Sequence, residues 1–325
     1  MSLKAMRDAF ITAVCNRMID DEKIFFLSAD FGAPSLDKIR QEFPERFINV
    51  GIAEQNLINV STGLALEGFT VYAYAISAFL TMRAYEQIRI NLSLSSQVKE
   101  INVNLLGVGA GTSYDVAGPT HHCIEDISIM SLLPNITVFS PSDWVLAEKF
   151  VDITIKNKNP KYLRFDGKPV EQIYNNQDID FDTGFCELKK GSKCCIVSTG
   201  YMTHTALKAV QILLDKNIEP GLVDIFLLKG FNKESLYKVL SQYEEVLTIE
   251  EAFIDRGGMD ACIMNLLNEY RINIPVNKIG FKDKFVFCAG GRNHLHKISG
   301  FDEQSIAGEV ERIIKSSRAL KVIKL

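Results

Sequence analysis

The sequence predicts an α/β fold made of two doubly wound domains. Three observations carry this. Helical and strand patterns alternate along the whole chain, which implies largely parallel sheets with helices on their faces. The alternation breaks once, in a polar stretch between Asp166 and Lys193. The length of 325 residues suits two domains of ~100–200 residues each. The expected boundaries are residues 1–168 for the first domain, 169–190 for a linker and 191–325 for the second.

The elements follow in order. "AFITAVCNRMI" has helical spacing, and "KIFFLSAD" reads as a short buried strand ending in a polar turn. Gly51 marks a turn, after which a helix begins near Ala53 or Glu54. "EINVNLLGVGAG" is a strand entering a glycine-rich loop. "ITVFSPSD" is a strand whose Pro141-Ser142-Asp143 end caps the helix "WVLAEKFVDITIKN". "KYLRFDG" is the next strand. The segment "DGKPVEQIYNNQDIDFDTG" reads as linker, with one short strand near "FCELKK". In the second unit, "CCIVSTG", "PGLVDIFLLKG" and "EEVLTIEEAF" are strands. "THTALKAVQILLDKN", "GGMDACIMNLLNEY" and "DEQSIAGEVERIIKSS" are helices.

Composition narrows the function. Hydrophobic content of 47% and charged content of 23% suit a globular protein. Lys and Arg total 36 against 40 Asp and Glu, a net charge of −4, so neither nucleic acid nor an anionic membrane is an expected partner. The longest apolar run, Phe69 to Leu80, is shorter than the ~20 residues of a membrane helix. "MSLKAMRDAF" has no apolar signal core, so a cytoplasmic location is expected. The seven cysteines, Cys15, Cys123, Cys186, Cys194, Cys195, Cys262 and Cys288, show no CxxC spacing and read as reduced, buried thiols; no metal site is expected.

Glu54 stands out. It opens the helix "EQNLINVSTGLALEG", whose residues are small or apolar on nearly every face. An acid in a first helical turn is favourable against the helix dipole by ~0.3–1 kcal/mol. A buried carboxylate without a partner takes up a proton, and such a group serves as a general acid or hydrogen-bond donor near neutral pH.

"RFINVGIAEQNLINVSTGLALEG" resembles the pyrimidine-binding domain of transketolases, which are thiamine diphosphate enzymes. "RAYEQIR", "GPTHHCIEDISIMSLLPNITVFSPSD" and "KYLRFDG" follow in the family's order. "IVSTGYMTHTALKA" and "LTIEEAF" resemble the third transketolase domain. The resemblance implies a role for Glu54: bonding the pyrimidine ring nitrogen remote from the amino group, which favours the cofactor's reactive imino form. It also implies that Phe79 packs on the pyrimidine, with Ile76 in place of the family's second phenylalanine, and that Asp30 lies near the cofactor. The family binds the diphosphate through Mg2+ with a Gly-Asp-Gly segment, and none occurs in this sequence. The resemblance therefore implies the C-terminal half of a split transketolase. An N-terminal partner chain would supply the diphosphate domain and the metal site, in an α2β2 assembly containing a homodimer of this chain.

The substrate residues implied are Arg7, Ser35 and Arg164, which match positions that hold a sugar phosphate, and His121, which faces the reacting carbons. Arginine suits phosphate through its planar donors. His122 replaces the family's usual glutamine. Gly109 stands where the family has a phosphate-contacting histidine, and Ala117 where it has an aspartate that contacts a sugar hydroxyl; Asp115, two residues away, is a possible substitute. Ordinary pentose phosphates are therefore not expected to be the best substrates. His204, His294 and His296 lie in the domain that in the family mainly supports assembly; "GGRNHLHK" reads as a solvated surface loop, with an anion-binding loop as the alternative. Glu250 and Glu251 are expected to face solvent or a neighbouring subunit. Three readings stay open: ketol transfer by a split transketolase, a deoxyxylulose phosphate synthase-like or other thiamine diphosphate enzyme subunit, and a non-catalytic regulatory subunit.

Overall fold

Successive residues on each central strand of the first domain point into two different cores. Leu27, Ala73 and Leu105 pack with Leu57, Ile58 and Ala65 on one face. Phe26, Tyr72, Tyr74 and Leu106 pack with Met6, Phe10 and Val14 on the other. A strand buried on both faces is apolar throughout, as the sequence shows.

The computed structural model describes residues 3–175, 179–288 and 290–323. The first domain contains α1 (Met6–Asp20), β1 (Ile24–Ser28), α2 (Pro34–Glu42), β2 (Phe47–Asn49), α3 (Glu54–Leu66), β3 (Thr70–Ile76), α4 (Ser77–Arg83), α5 (Tyr85–Gln87), β4 (Val103–Val108), α6 (Asp126–Leu132), β5 (Thr137–Phe139), α7 (Trp144–Lys149), α8 (Val151–Lys156) and β6 (Lys161–Phe165). The second contains β7 (Phe185–Lys189), β8 (Cys194–Ser198), α9 (Met202–Leu214), β9 (Gly221–Ile225), β10 (Leu227–Lys229), α10 (Lys233–Leu240), β11 (Glu245–Phe253), α11 (Met259–Glu269), β12 (Val276–Phe281), α12 (Arg292–Ser299) and α13 (Glu303–Ile323). The sheet orders are β10-β5-β6-β4-β3-β1-β2 and β12-β11-β8-β9-β7. All pairs are parallel except β10–β5 and β7–β9. Among the described residues no helix is long and apolar enough to cross a membrane.

Four expectations change. "PGLVDIFLLKG" is two strands in two sheets: β9 pairs with β8, and after Phe226 the chain crosses to pair β10 with β5. Both halves are apolar, so nothing local marks the crossing. The expected linker contains β7, a member of the second sheet, and residues 176–178 of that stretch lie outside the described residues. Asp143 caps α7 by accepting from the Leu146 amide at 2.8 Å, and its other oxygen accepts from Ile173 and Tyr174, fastening the linker. The helix after it is broken at Phe150 into α7 and α8. Finally, Cys15, Cys123, Cys194 and Cys195 are buried, but Cys288 is exposed, with Sγ 3.4 Å from His294 Nε2.

The expectation for Glu250 is also corrected. It is fully buried and accepts from the Met259 and Asp260 amides, both at 2.9 Å, at the start of α11. Burial pushes its carboxyl up to about 7 from an ordinary 4.5. The sign follows from linkage. Below about 4.5 the acid is protonated in both states; between there and about 7 the unfolded chain ionises first, so stability falls as pH rises. Glu250→Gln keeps an acceptor for one of the two amides and removes the titration. The variant's melting temperature minus the wild type's is expected to increase by roughly 2–6 °C from pH 5 to pH 7 in thermal melts.

Candidate active site

The candidate residues converge because parallel strands deliver their following loops to one edge of a sheet. Asp30 follows β1, Glu54 follows β2, Ile76 ends β3, His121 lies in the loop after β4, and Arg164 lies on β6. Ile76 pairs with Val108, so the ends of β3 and β4 are adjacent.

Glu54 is the first residue of α3 and is 3% exposed. It is not the unpartnered acid that the sequence suggested: Arg83 Nη1 donates to its Oε2 at 2.7 Å. The Arg83 guanidinium also lies over the Phe79 ring, 4.9 Å from its centroid. Phe79 in turn meets the His121 ring edge-on at 5.2 Å. Glu54, Arg83, Phe79 and His121 thus form one set of contacts. Ile76, partly exposed, immediately precedes α4, three residues from Phe79. Arg83 received no role from the sequence, although it opens "RAYEQIR" and stands one helical turn after Phe79, a spacing that places both on one helix face.

α3 is less enclosed than its composition suggests. Gln55, Asn56, Asn59 and Leu66 are exposed, while Glu54, Leu57, Ile58, Ser61 and Thr62 are buried. Asp30 is exposed, accepts from Asn49 Nδ2 at 2.8 Å, and donates its amide to Asn49 Oδ1 at 3.0 Å. Asn49 Oδ1 also accepts from the Gly51 amide, so Asp30 braces the turn, with Gly51 at φ +77°, that leads to Glu54.

Arg7 and Ser35, 28 residues apart in sequence, meet on Asp8. Arg7 Nη2 donates to Asp8 Oδ2 at 3.1 Å and Ser35 Oγ to Asp8 Oδ1 at 2.8 Å. Arg164, expected to hold a sugar phosphate, lies between the two domains. It is 3% exposed, its Nε donates to Asp126 at 2.7 Å, and its Nη2 reaches the Glu251 carbonyl at 3.2 Å. The guanidinium is committed inside the protein, where it joins the two domains. Asp115 is likewise occupied: it accepts from the Arg292 amide at 2.6 Å and from Lys168. These donors hold its carboxyl below its ordinary range against the cost of burial. Burial pushes the His122 imidazole down.

The "GGRNHLHK" segment is not a solvated loop throughout. Its Arg292 and His296 are buried, although Asn293 and His294 are exposed. Arg292 pairs with Asp166 and Glu251, and His296 Nε2 lies 2.6 Å from Glu251 Oε1. Thr112 Oγ1 and its amide also donate to Glu251. The Arg292 guanidinium stacks 3.5 Å above the Tyr201 ring. Glu251, expected at the surface, is therefore the centre of a buried interdomain ion cluster. Against its burial, Arg292 and His296 hold its carboxyl well below the usual range. Among the described residues no group of three or more His, Cys, Asp or Glu side chains could hold a metal ion.

Comparison with known proteins agrees with this architecture. Residues 3–170 match the family model for the transketolase pyrimidine-binding domain, and residues 186–306 match the transketolase C-terminal domain. The chain is 31% identical over 302 residues to one of the subunits of the apulose-4-phosphate transketolase of Actinobacillus succinogenes, covering 93% of this chain and 94% of that one. It is 28% identical to the transketolase of Pongo abelii, covering 95% of this chain but 49% of that protein. A solved split-gene transketolase, described as an inactive beta4 tetramer, superposes with a TM-score of 0.85 at 30% identity, covering 96% of this chain and 98% of that chain. The chain belongs to the transketolase family and carries its pyrimidine-binding and C-terminal domains.

Proposed function

We propose that this chain is the pyrimidine-binding subunit of a split, thiamine diphosphate-dependent transketolase that moves a two-carbon ketol unit from a ketose phosphate to an aldose. The observation that carries the reading is the buried Glu54 at the head of α3, oriented by Arg83 beside Phe79 and His121. The residues fit the cofactor's pyrimidine. Among the described residues Glu54 Oε1 makes no hydrogen bond, leaving an acceptor for a protonated ring nitrogen, and Phe79 offers an apolar face. Thiamine diphosphate, when bound, supplies the nucleophilic carbon that ketol transfer requires. Glu54 holds the proton at the ring nitrogen, and Arg83 fixes the carboxylate. His121, edge-on to Phe79, is assigned the movement of protons at the sugar oxygens. Arg7 and Ser35, joined through Asp8, hold the sugar phosphate.

The diphosphate and Mg2+ are assigned to an N-terminal partner chain. That assignment draws on the missing Gly-Asp-Gly segment and on the Actinobacillus succinogenes relative, which is itself one subunit of a transketolase. The exposed face of α3, with Ile52 75% and Met82 45% exposed nearby, is assigned to a second copy of this chain in an α2β2 assembly. With Gly109 and Ala117 in the loop after β4, turnover of ordinary pentose phosphates is expected to be weak.

Titration calorimetry with thiamine diphosphate and Mg2+ tests the proposal. Binding is expected only when this chain is mixed with the partner. Tight Mg2+-dependent binding by the chain alone would contradict the half-site assignment, and no binding by the mixture would remove the cofactor role.

A further inference from the structure

Beside the Arg7–Asp8–Ser35 group stands an aromatic side chain to which neither the resemblance nor the relatives assign a role. Tyr114 lies in the loop after β4, between the isolated bridge of Gly111 with Cys123 and the short helical turn Asp115–Ala117. One edge of its ring lies against the α-carbon of Gly109 and the other edge against that of Gly167. A Cβ on Gly109 would collide with Cδ2 and Cε2 of the ring, and Gly109 has φ +101°, a conformation that glycine adopts without strain. A Cβ on Gly167 would crowd Cε1 at 3.0 Å. Two glycines at the ends of neighbouring strands β4 and β6 therefore form a slot that the tyrosine ring fills. Ser113 Oγ accepts from the Gly167 amide at 3.2 Å and holds the two walls together.

The phenol is not an ordinary core group. Tyr114 is partly exposed, and among the described residues its hydroxyl makes no hydrogen bond. Two formal charges act on it, the Arg7 guanidinium and the Asp166 carboxylate. Asp166 is already paired with Arg292, while Arg7 belongs to the group assigned to the sugar phosphate. Burial pushes the phenol up to about 12, so at neutral pH it is a hydrogen-bond donor.

We infer that Tyr114 is a specificity-determining residue, whose hydroxyl donates to the anionic end of a ketose phosphate beside Arg7 and whose ring occupies the space that a side chain at position 109 would take. The inference rests on the transketolase reading above. It makes the chain's preference one for phosphorylated over free ketoses, enforced by a neutral donor in place of an imidazole. A hydrogen bond to a charged group is the kind of contact whose loss falls selectively on the substrate that carries the charge.

The test uses the complex assembled with its partner chain, a panel of pentulose and hexulose monophosphates with the corresponding free ketoses as donors, and a panel of aldose phosphates and free aldoses as acceptors. Tyr114→Phe keeps the ring in its slot and removes only the hydroxyl. It is expected to lower kcat/KM for the preferred ketose phosphate by about 10–100-fold, mainly through KM, and to reduce the phosphorylated-to-free selectivity ratio by at least ~10-fold. Gly109→Ala, which drives the ring out of the slot, is expected to shift the ratio in the same direction. An equal loss on phosphorylated and free donors, or no loss, in Tyr114→Phe overturns the inference. A wild-type complex that transfers no ketol unit from any donor overturns the transketolase reading and this role with it. A working wild type with an indifferent Tyr114→Phe overturns this role alone.

Discussion

Glu54→Gln in the assembled complex is expected to lower ketol transfer by about 10²–10⁴-fold, the range typical for loss of a positioned acid–base group. The change is nearly isosteric. The glutamine can still accept from Arg83, so the helix and its neighbours keep their geometry. What is lost is a carboxylate able to share a proton with a ring nitrogen. The alternative role for Glu54, a favourable charge in the first turn of α3, amounts to only ~0.3–1 kcal/mol of stability. The two roles give opposite patterns. A catalytic Glu54 shows a large loss of rate with a melting temperature almost unchanged. A helix-cap Glu54 shows a slightly lower melting temperature with full activity in steady-state assays, and that result would end its assignment to the cofactor.

Arg292→Met is expected to destabilise the chain by about 3–5 kcal/mol, the usual cost of removing one partner from a buried ion pair. That corresponds to a drop of about 10 °C in a thermal melt. Arg292 is 5% exposed and bonds Glu251 and Asp166, which would remain buried with fewer donors. The effect carries a pH signature. Glu251 has a depressed folded pKa, so its contribution to stability is present above its unfolded value of about 4.5 and is lost as pH falls further. The wild type therefore exceeds the variant most at neutral pH, and the gap narrows toward about pH 3–4. A gap that is constant with pH in melts from pH 3 to pH 8 would assign the loss to packing of Arg292 on Tyr201 instead. Thr112 and Asp115 bond this same cluster from the loop that carries His121. Lower activity is therefore expected to accompany the lower melting temperature.

By itself the sequence determined the two-domain α/β class, most strands and helices, and the place of Glu54 at the head of α3. These follow from local signals. Apolar runs mark strands covered on both faces, Asp143 caps its helix three residues before Leu146, and the motif around Glu54 is long enough to identify a family. Only the tertiary structure decided which polar groups meet. Arg83 reaches Glu54 across 29 residues, Arg292 reaches Asp166 across 126, and Thr112 reaches Glu251 across 139. The same holds for the division of "PGLVDIFLLKG" between two sheets and for the enclosure of Arg164. The physical reason is the range of the interactions. Hydrophobic period and capping act over one or two turns of chain and are written in adjacent residues. The partner of a buried charge is set by which strand ends and domains the fold brings together, and burial then makes that pairing obligatory.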